Sequence, residues 1–135
     1  MVTLPATLRA HLRAVDLPRL RASGSLGQLL ARQSEAHAED FDMDQLGRSF
    51  SELPDDLLNF QYDAVACAVS AGWSGVMTQE MRLRASFERN LLRLRRDDAG
   101  SFVRVAIEID GNTFRETWLS AVERAQGEGA IPLPY

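Results

Sequence analysis

The sequence predicts an α+β fold, in which several N-terminal helices and one C-terminal helix pack on a small antiparallel sheet of about three strands. Apolar residues recur at helical spacing through the first half of the chain, alternate with polar residues in the second half, and return to helical spacing near the end. At 135 residues and 45% apolar content, one domain with its own core is expected over residues 1–130. Residues 131–135 (IPLPY) are expected to form a proline-containing C-terminal tail.

The N-terminal half is predicted to be helical. Thr3 is suited to cap a first helix, whose single apolar face consists of Leu4, Leu8, Leu12 and Val15. Asp16 and Pro18 predict a break, after which Ser25 caps a second helix. A central core helix is predicted over residues 54–71, because apolar residues occupy two of its faces, as in a buried helix.

Residues 78–96 are open to two interpretations. Apolar residues alternate with polar ones at Met81, Leu83, Ala85 and Phe87, as in a strand, yet Leu83, Phe87, Leu91 and Leu94 also lie at helical spacing.

The next segment favours the strand interpretation, because "SFVRVAIEID" is a clear strand and needs partners. Its inward residues are Val103, Val105, Ile107 and Ile109. We therefore expect a three-stranded antiparallel meander over about 79–87, 90–96 and 102–109, with Asp97–Gly100 as its second turn. A helix over 78–96 is the alternative.

The chain is predicted to end in one more helix. Asn112 or Thr113 caps it, and its inward face consists of Phe114, Trp118, Leu119 and Val122.

Charge is distributed unevenly along the chain. Residues 1–34 carry +4, residues 35–80 carry −9, residues 81–104 carry +4 and residues 105–135 carry −3, which gives −4 in all. Either the blocks neutralise each other in the fold, or the acidic block faces a cationic partner. All 15 basic residues are arginine, a bias typical of a GC-rich genome and consistent with a bacterium or phage. Without lysine, chemistry that depends on a P-loop or Schiff-base lysine is excluded.

The stretch "SEAHAEDFDMDQL" carries five carboxylates around His37. Asp40, Asp42 and Asp44 alternate as at the start of an EF-hand loop, but the glycine and the glutamate that such a loop needs at its sixth and twelfth positions are replaced by Gln45 and Ser51. No histidine or cysteine pair has zinc-ligand spacing. We expect a solvated acidic turn, with no metal and no cofactor.

No catalytic motif is complete. Ser74 in "GWSG" lacks the final glycine of a nucleophile elbow. Cys67 has alanines on both sides on an apolar segment, which predicts an inert core residue. His11 and His37 are expected at the surface, and Glu108 and Asp110 on opposite faces of a strand. We therefore expect no catalytic residue, and the chain reads as a non-enzyme.

Membrane and nucleic-acid partners are not favoured. The N-terminus lacks the pattern of a signal peptide and no apolar run reaches about 20 residues, so a cytoplasmic location is expected. Arginines cluster over residues 82–96, but the sequence pI of about 5.1 and a single nearby aromatic, Phe87, disfavour binding to nucleic acid.

By elimination, the sequence indicates a non-catalytic protein-binding module of the immunity-protein, antitoxin, inhibitor or secretion-chaperone type, whose acidic surface meets a protein with a basic surface. The expected contact residues are Glu39, Asp40, Asp42, Asp44, Asp55, Asp56, Tyr62, Trp73 and Tyr135.

The alternative is a small α+β ligand-binding domain or enzyme with a pocket for an anionic ligand. Its arginines would be Arg82, Arg84 and Arg104. A further alternative is a homodimer that pairs through the edge of the sheet.

Overall fold

The structure, a computed structural model, describes residues 1–125 and confirms the α+β class. The helices in this range are α1 (Leu4–Thr7), α2 (Leu17–Ala22), α3 (Gly24–Asp40), α4 (Met43–Ser49), α5 (Tyr62–Ser70) and α6 (Gly111–Ala125). The strands are β1 (His11–Arg13), β2 (Leu57–Phe60), β3 (Val76–Glu88), β4 (Leu91–Arg96) and β5 (Ser101–Ile109). Tyr135 and the proline-containing tail lie outside the described residues.

The predicted first helix is wrong beyond its first turn. The chain leaves α1 after Thr7 and forms β1, which pairs antiparallel with β2 in a two-stranded sheet. Leu12 is buried on this strand, whereas Leu8 and Val15, which the helical pattern placed beside it, are exposed. The strand also brings Arg13 to Asp56, with Nε 2.7 Å from Oδ1, and this ion pair fixes the end of β1.

The predicted core helix over residues 54–71 is also wrong in its first half. Leu57–Phe60 is a strand, and both Leu57 and Leu58 are buried. A strand buried on both faces has the same continuous apolar run as a buried helix, so periodicity does not separate the two. Helix α5 is therefore short, and Cys67 lies on its exposed side rather than in the core.

Residues 78–96 form two strands, as the favoured interpretation expected. Arg89 and Asn90 join β3 to β4, and both have positive φ (52° and 64°), as a two-residue type I′ hairpin turn requires. The three predicted strands are thus present, but the meander order is wrong. Strand β3 lies in the centre, paired with β4 along 83–88 and with β5 along 76–83, in the order β4–β3–β5.

The segment Asp97–Gly100 is accordingly a crossover and not a hairpin turn. Both Arg96 and Ser101 pair with Leu83, so the chain moves from one edge of β3 to the other at that residue. Parallel strands usually need a long connection because the chain must travel back. Here β5 begins where β4 ends along β3, so four residues are enough.

The inward face of β5 is interrupted by a bulge. Thr78 pairs with Ala106 whereas Met77 pairs with Glu108, which leaves Ile107 as the extra residue. Ala106 is consequently buried, and Ile107 is exposed, contrary to the alternating pattern.

Two apolar clusters form the core. One joins α2, α3, β1, β2 and α6, and includes Leu20, Leu58 and Leu119. The other joins α1, α5, the end of β5 and α6 around Phe114. Trp118 packs against both, so α6 joins the two clusters. The final helix is present as predicted, with Phe114, Trp118, Leu119 and Val122 on its inward face.

Candidate functional site

An open groove of about 1450 Å³ lies between the N-terminal segment, the connection from α4 to β2, and the adjacent ends of β3 and β5. Its lining is mostly apolar: Pro5, Leu8, Leu46, Phe50, Leu53, Phe60, Tyr62, Val76, Met77 and Ile109. Its polar side chains are Arg9, His11, Glu52, Ser74, Glu108, Asp110 and Asn112. Five of the apolar residues are exposed: Pro5, Leu8, Phe50, Tyr62 and Met77.

A row of three rings forms one wall of this groove. The pairing of β1 with β2 places His11 directly opposite Phe60, and the two rings meet edge-on with centroids 5.5 Å apart. Phe60 in turn stacks on Tyr62 at 5.4 Å. Burial raises the pKa of Tyr62, which keeps its phenol neutral. The wall therefore depends on a strand pairing between residues far apart in sequence.

A second groove, of about 690 Å³, adjoins the first across this row of rings. The two grooves share Leu46, Phe60 and Tyr62. The second is lined further along by His37, Phe41, Gln33, Gln61, Asp63 and Trp118, among others.

Two residues that line these grooves each carry a buried hydrogen-bond acceptor without a donor. His11 Nε2 and Gln61 Oε1 have no partner within residues 1–125. Burial lowers the pKa of His11, the bond with the Leu8 backbone opposes this, and the charges of Arg13 and Arg115 lower the pKa further. The imidazole is thus held neutral, and Nε2 keeps its lone pair. The expected surface position of His11 is wrong, because its ring is half-buried.

A third unpartnered buried atom, Arg115 Nε, has a simpler explanation. It lies 3.8 Å from Asp16 Oδ1, and so belongs to an internal ion pair between α6 and the turn before α2.

The rim of the grooves carries more acids than bases. Glu52, Glu108 and Asp110 surround the first groove, with Arg9 as the one basic side chain in its lining. Arg9 Nη1 lies 3.4 Å from Glu108 Oε1, so its charge is already engaged. Asp63 adds a carboxylate to the second groove.

The charge blocks of the sequence neutralise each other only in part. Arg19 on α2 binds Glu116 and Glu123 on α6, each at 2.6 Å, which joins the N-terminal basic block to the C-terminal acidic one. In the acidic block, Asp44 pairs with Arg48, and Asp56 pairs with Arg13. Four of the predicted contact residues remain exposed without a salt bridge to any described residue: Glu39, Asp40, Asp42 and Asp55.

Three of these four acids surround an exposed aromatic that sequence reasoning missed. Glu39 and Asp40 end α3, Asp42 follows in the left-handed conformation (φ 48°), and Phe41 between them projects into solvent. Its ring lies 4.7 Å from that of His37, at the edge of the second groove. The signal was present within the acidic stretch, as a phenylalanine between Asp40 and Asp42.

The two predicted aromatic contact residues, Tyr62 and Trp73, lie in different surroundings. Tyr62 lines both grooves. Trp73 is half-buried and packs edge-on against Phe114 at 5.3 Å, so it supports the core.

The three arginines of the anionic-ligand alternative lie on the three-stranded sheet, away from both grooves. Arg84 pairs with Asp97, Arg104 pairs with Glu80, and Arg82 lies over Phe102 at 6.0 Å.

Within residues 1–125 there is no group of three or more histidine, cysteine, aspartate or glutamate side chains placed to hold a metal ion. No helix in the same range has the length and apolar content needed to cross a bilayer. Comparison with known proteins finds no matching family model and no match among curated proteins.

Proposed function

We propose that this chain is a non-catalytic protein-binding module, which takes a basic and amphipathic segment of another protein in the apolar groove. The observation that carries the proposal is the combination of an open aromatic groove, an acidic rim and two buried acceptors without donors. A segment with lysine or arginine beside large apolar residues satisfies all three features at once.

The size and shape of the groove favour a chain segment over a small molecule. Small-molecule pockets commonly enclose about 300–1000 Å³ and bury most of the ligand, whereas this groove is open and measures about 1450 Å³. Covering apolar surface is favourable by about 25 cal/mol per Å². Phe50, Tyr62 and Met77 offer such surface without any rearrangement of the core.

The acids beyond the rim act on the approach of the partner. Glu39, Asp40, Asp42 and Asp55 have no salt bridge to any residue within 1–125, so their field is available to attract a cationic protein. Exposed charges around a binding site raise the association rate more than they raise the final affinity. Phe41 supplies an apolar contact at the same corner.

We place the chain among non-catalytic binding proteins of the immunity-protein, antitoxin, inhibitor or secretion-chaperone type, in the cytoplasm of a bacterium or of a phage-infected cell. The anionic-ligand alternative has less support, because all three of its arginines, Arg82, Arg84 and Arg104, are engaged on the sheet.

The test is a selection of random displayed peptides on the immobilised full chain, followed by calorimetry with the enriched peptides. We expect enriched sequences to combine arginine or lysine with leucine, phenylalanine or tryptophan, and to bind more weakly as salt rises. Phe50→Ser should weaken that binding at least tenfold. The matched control is Phe102→Ser, because Phe102 is 62% exposed and lies outside both grooves, whereas Phe50 is 53% exposed inside the first.

Two results would overturn the proposal. One is a selection that enriches no peptide combining arginine or lysine with large apolar residues. The other is an equal loss of binding in the Phe50→Ser and Phe102→Ser variants, which would place the contact elsewhere.

A further inference from the structure

The outer edge of β4 is an unpaired strand edge. Asp97 N donates to Arg82 O at 3.2 Å, and these two residues are opposite in the register of β3 and β4. Hydrogen-bonded pairs alternate along an antiparallel ladder, so Leu91, Arg93 and Arg95 turn their backbone groups toward β3. Leu92, Leu94 and Arg96 therefore turn theirs away from the sheet.

No described element covers this edge. Every residue of β4 is exposed, and β4 pairs with β3 alone. Exposed strand edges commonly carry a proline, a bulge or a very short strand that blocks further pairing. Strand β4 has six residues, contains no proline and keeps a regular register with β3 throughout.

The two faces of the hairpin differ in chemistry. Leu92 is opposite Phe87 and Leu94 is opposite Ala85, so one face is apolar, although Phe87 is 78% exposed. On the other face Arg95 is opposite Arg84, with Arg93 beside it. Arg93 and Arg95 share a single carboxylate, that of Glu88, at 3.5 and 3.0 Å, so this face keeps an excess of positive charge. Residues 84–96 carry five arginines and one acid, which gives the hairpin a charge of +4.

We propose that the outer edge of β4 is the docking site for an extended acidic segment of another protein, which adds to the sheet as a further strand. Its backbone pairs with Leu92 and Leu94, its apolar side chains lie beside those leucines, and its carboxylates lie beside Arg93 and Arg95. This surface is distinct from the groove and selects the opposite charge.

Charge and backbone chemistry together favour this occupant. A nucleic acid would satisfy the arginines but has no alternating N–H and C=O groups to pair with the strand. A second copy of this chain would bring two hairpins of +4 together. Moreover, an antiparallel pairing that aligned Leu92 with Leu94 of the other copy would place Arg93 opposite Arg93, and like charges directly opposite are destabilising.

The test is amide hydrogen exchange of the full chain by NMR, with an alternating glutamate–leucine heptapeptide, blocked at both ends, as the probe. We expect the peptide to slow exchange at Leu92, Leu94 and Arg96, and to leave exchange at Arg93 and Arg95 slow with or without it. Because the contacts are partly electrostatic, added salt should weaken the binding.

Charge-reversal variants give a matched comparison. The double substitution Arg93→Glu with Arg95→Glu should lower the affinity for the peptide at least tenfold. Arg93→Gln with Arg95→Gln should lower that affinity by less and leave the hairpin intact. Arg32→Glu with Arg124→Glu makes the same change of charge on the exposed faces of α3 and α6, and should leave affinity within twofold.

Four results would overturn the proposal. The first two are equal protection of the Leu92, Leu94 and Arg96 amides by a lysine–leucine heptapeptide, and an equal loss of peptide affinity in the two pairs of Glu substitutions. The other two results are protection of these amides by an oligothymidylate, and their protection by a dimer that forms without peptide.

Discussion

Gly100 crosses directly over the backbone of Leu83. A Cβ atom on Gly100 would lie 2.5 Å from both the carbonyl carbon and the carbonyl oxygen of Leu83. This contact occurs where the chain passes from the β4 edge of β3 to the β5 edge. The order of the three-stranded sheet therefore depends on a residue without a side chain at position 100.

Gly100→Ala is accordingly expected to lower the free energy of unfolding by about 1–3 kcal/mol, the usual cost of overpacking. Urea unfolding followed by circular dichroism measures it. Gly72→Asn is the control, because Gly72 has a left-handed φ of 87° with nothing within 4 Å of a Cβ, and asparagine tolerates that conformation. Equal losses at the two positions would show that the approach to Leu83 is not what position 100 requires.

Local patterns in the sequence predict the elements whose partners lie nearby. The alternation from Met81 to Phe87 and the strand over 102–109 are confirmed because β3, β4 and β5 follow one another in the chain. The helix predicted for residues 57–60 is wrong, because the partner strand His11–Arg13 is distant in sequence and no local pattern indicates the pairing. The β4–β3–β5 order likewise depends on the steric effect of Gly100, which composition and periodicity do not express.

The candidate site was predicted in the same uneven way. The positions of Tyr62 and the exposed acids follow from residue type alone, because tyrosine is common at binding hot spots and carboxylates mostly remain exposed. The groove itself depends on β1 meeting β2, which places His11 beside Phe60, and no sequence pattern indicates that contact. Phe50 gave a weaker signal, as an aromatic residue in a polar stretch.

The half-buried imidazole of His11 gives the chain a pH dependence of stability. Burial is the main cause of its lowered pKa, and the positive charges of Arg13 and Arg115 act in the same direction. The folded chain thus binds this proton less readily than the unfolded chain, whose value is near 6.5. Stability is full above that value and falls as the pH drops from 6.5 toward the lowered pKa.

We expect His11→Gln to reduce the change in unfolding free energy between pH 7.5 and pH 5.5, as measured by urea titration at each pH. A variant that kept the full change would assign the dependence to another group. Asp56 acts in a separate window. Burial alone would raise its pKa, but the bonds from Arg13 and the Val15 N–H lower it overall, so its contribution is lost only below about pH 4.

We predict that the side chain of Gln61 lowers the stability of the fold and supports the binding of basic peptides. Its Oε1 is buried without a donor in the described part of the chain, and an unsatisfied buried acceptor costs about 1–3 kcal/mol. Gln61→Met should therefore leave the free energy of unfolding unchanged or raise it by about 1 kcal/mol. The same substitution should lower the affinity of the basic peptides selected on the groove, because it removes an acceptor for their donors. Calorimetry would measure this affinity. A clear loss of stability would contradict the assignment of Oε1 as unpartnered.

The bulge in β5 separates two isoleucines that the alternating pattern treats as equivalent. Ile109 is 2% exposed in the cluster around Phe114, whereas Ile107 is 44% exposed because it is the extra residue opposite Met77 and Thr78. Ile109→Ala should lower the free energy of unfolding by about 2–5 kcal/mol through the cavity that it leaves. Ile107→Ala should lower it by less than about 1 kcal/mol, the range of strand propensity alone. Denaturant unfolding of both variants decides the matter, since a regular strand without the bulge would bury both side chains and make the two losses similar.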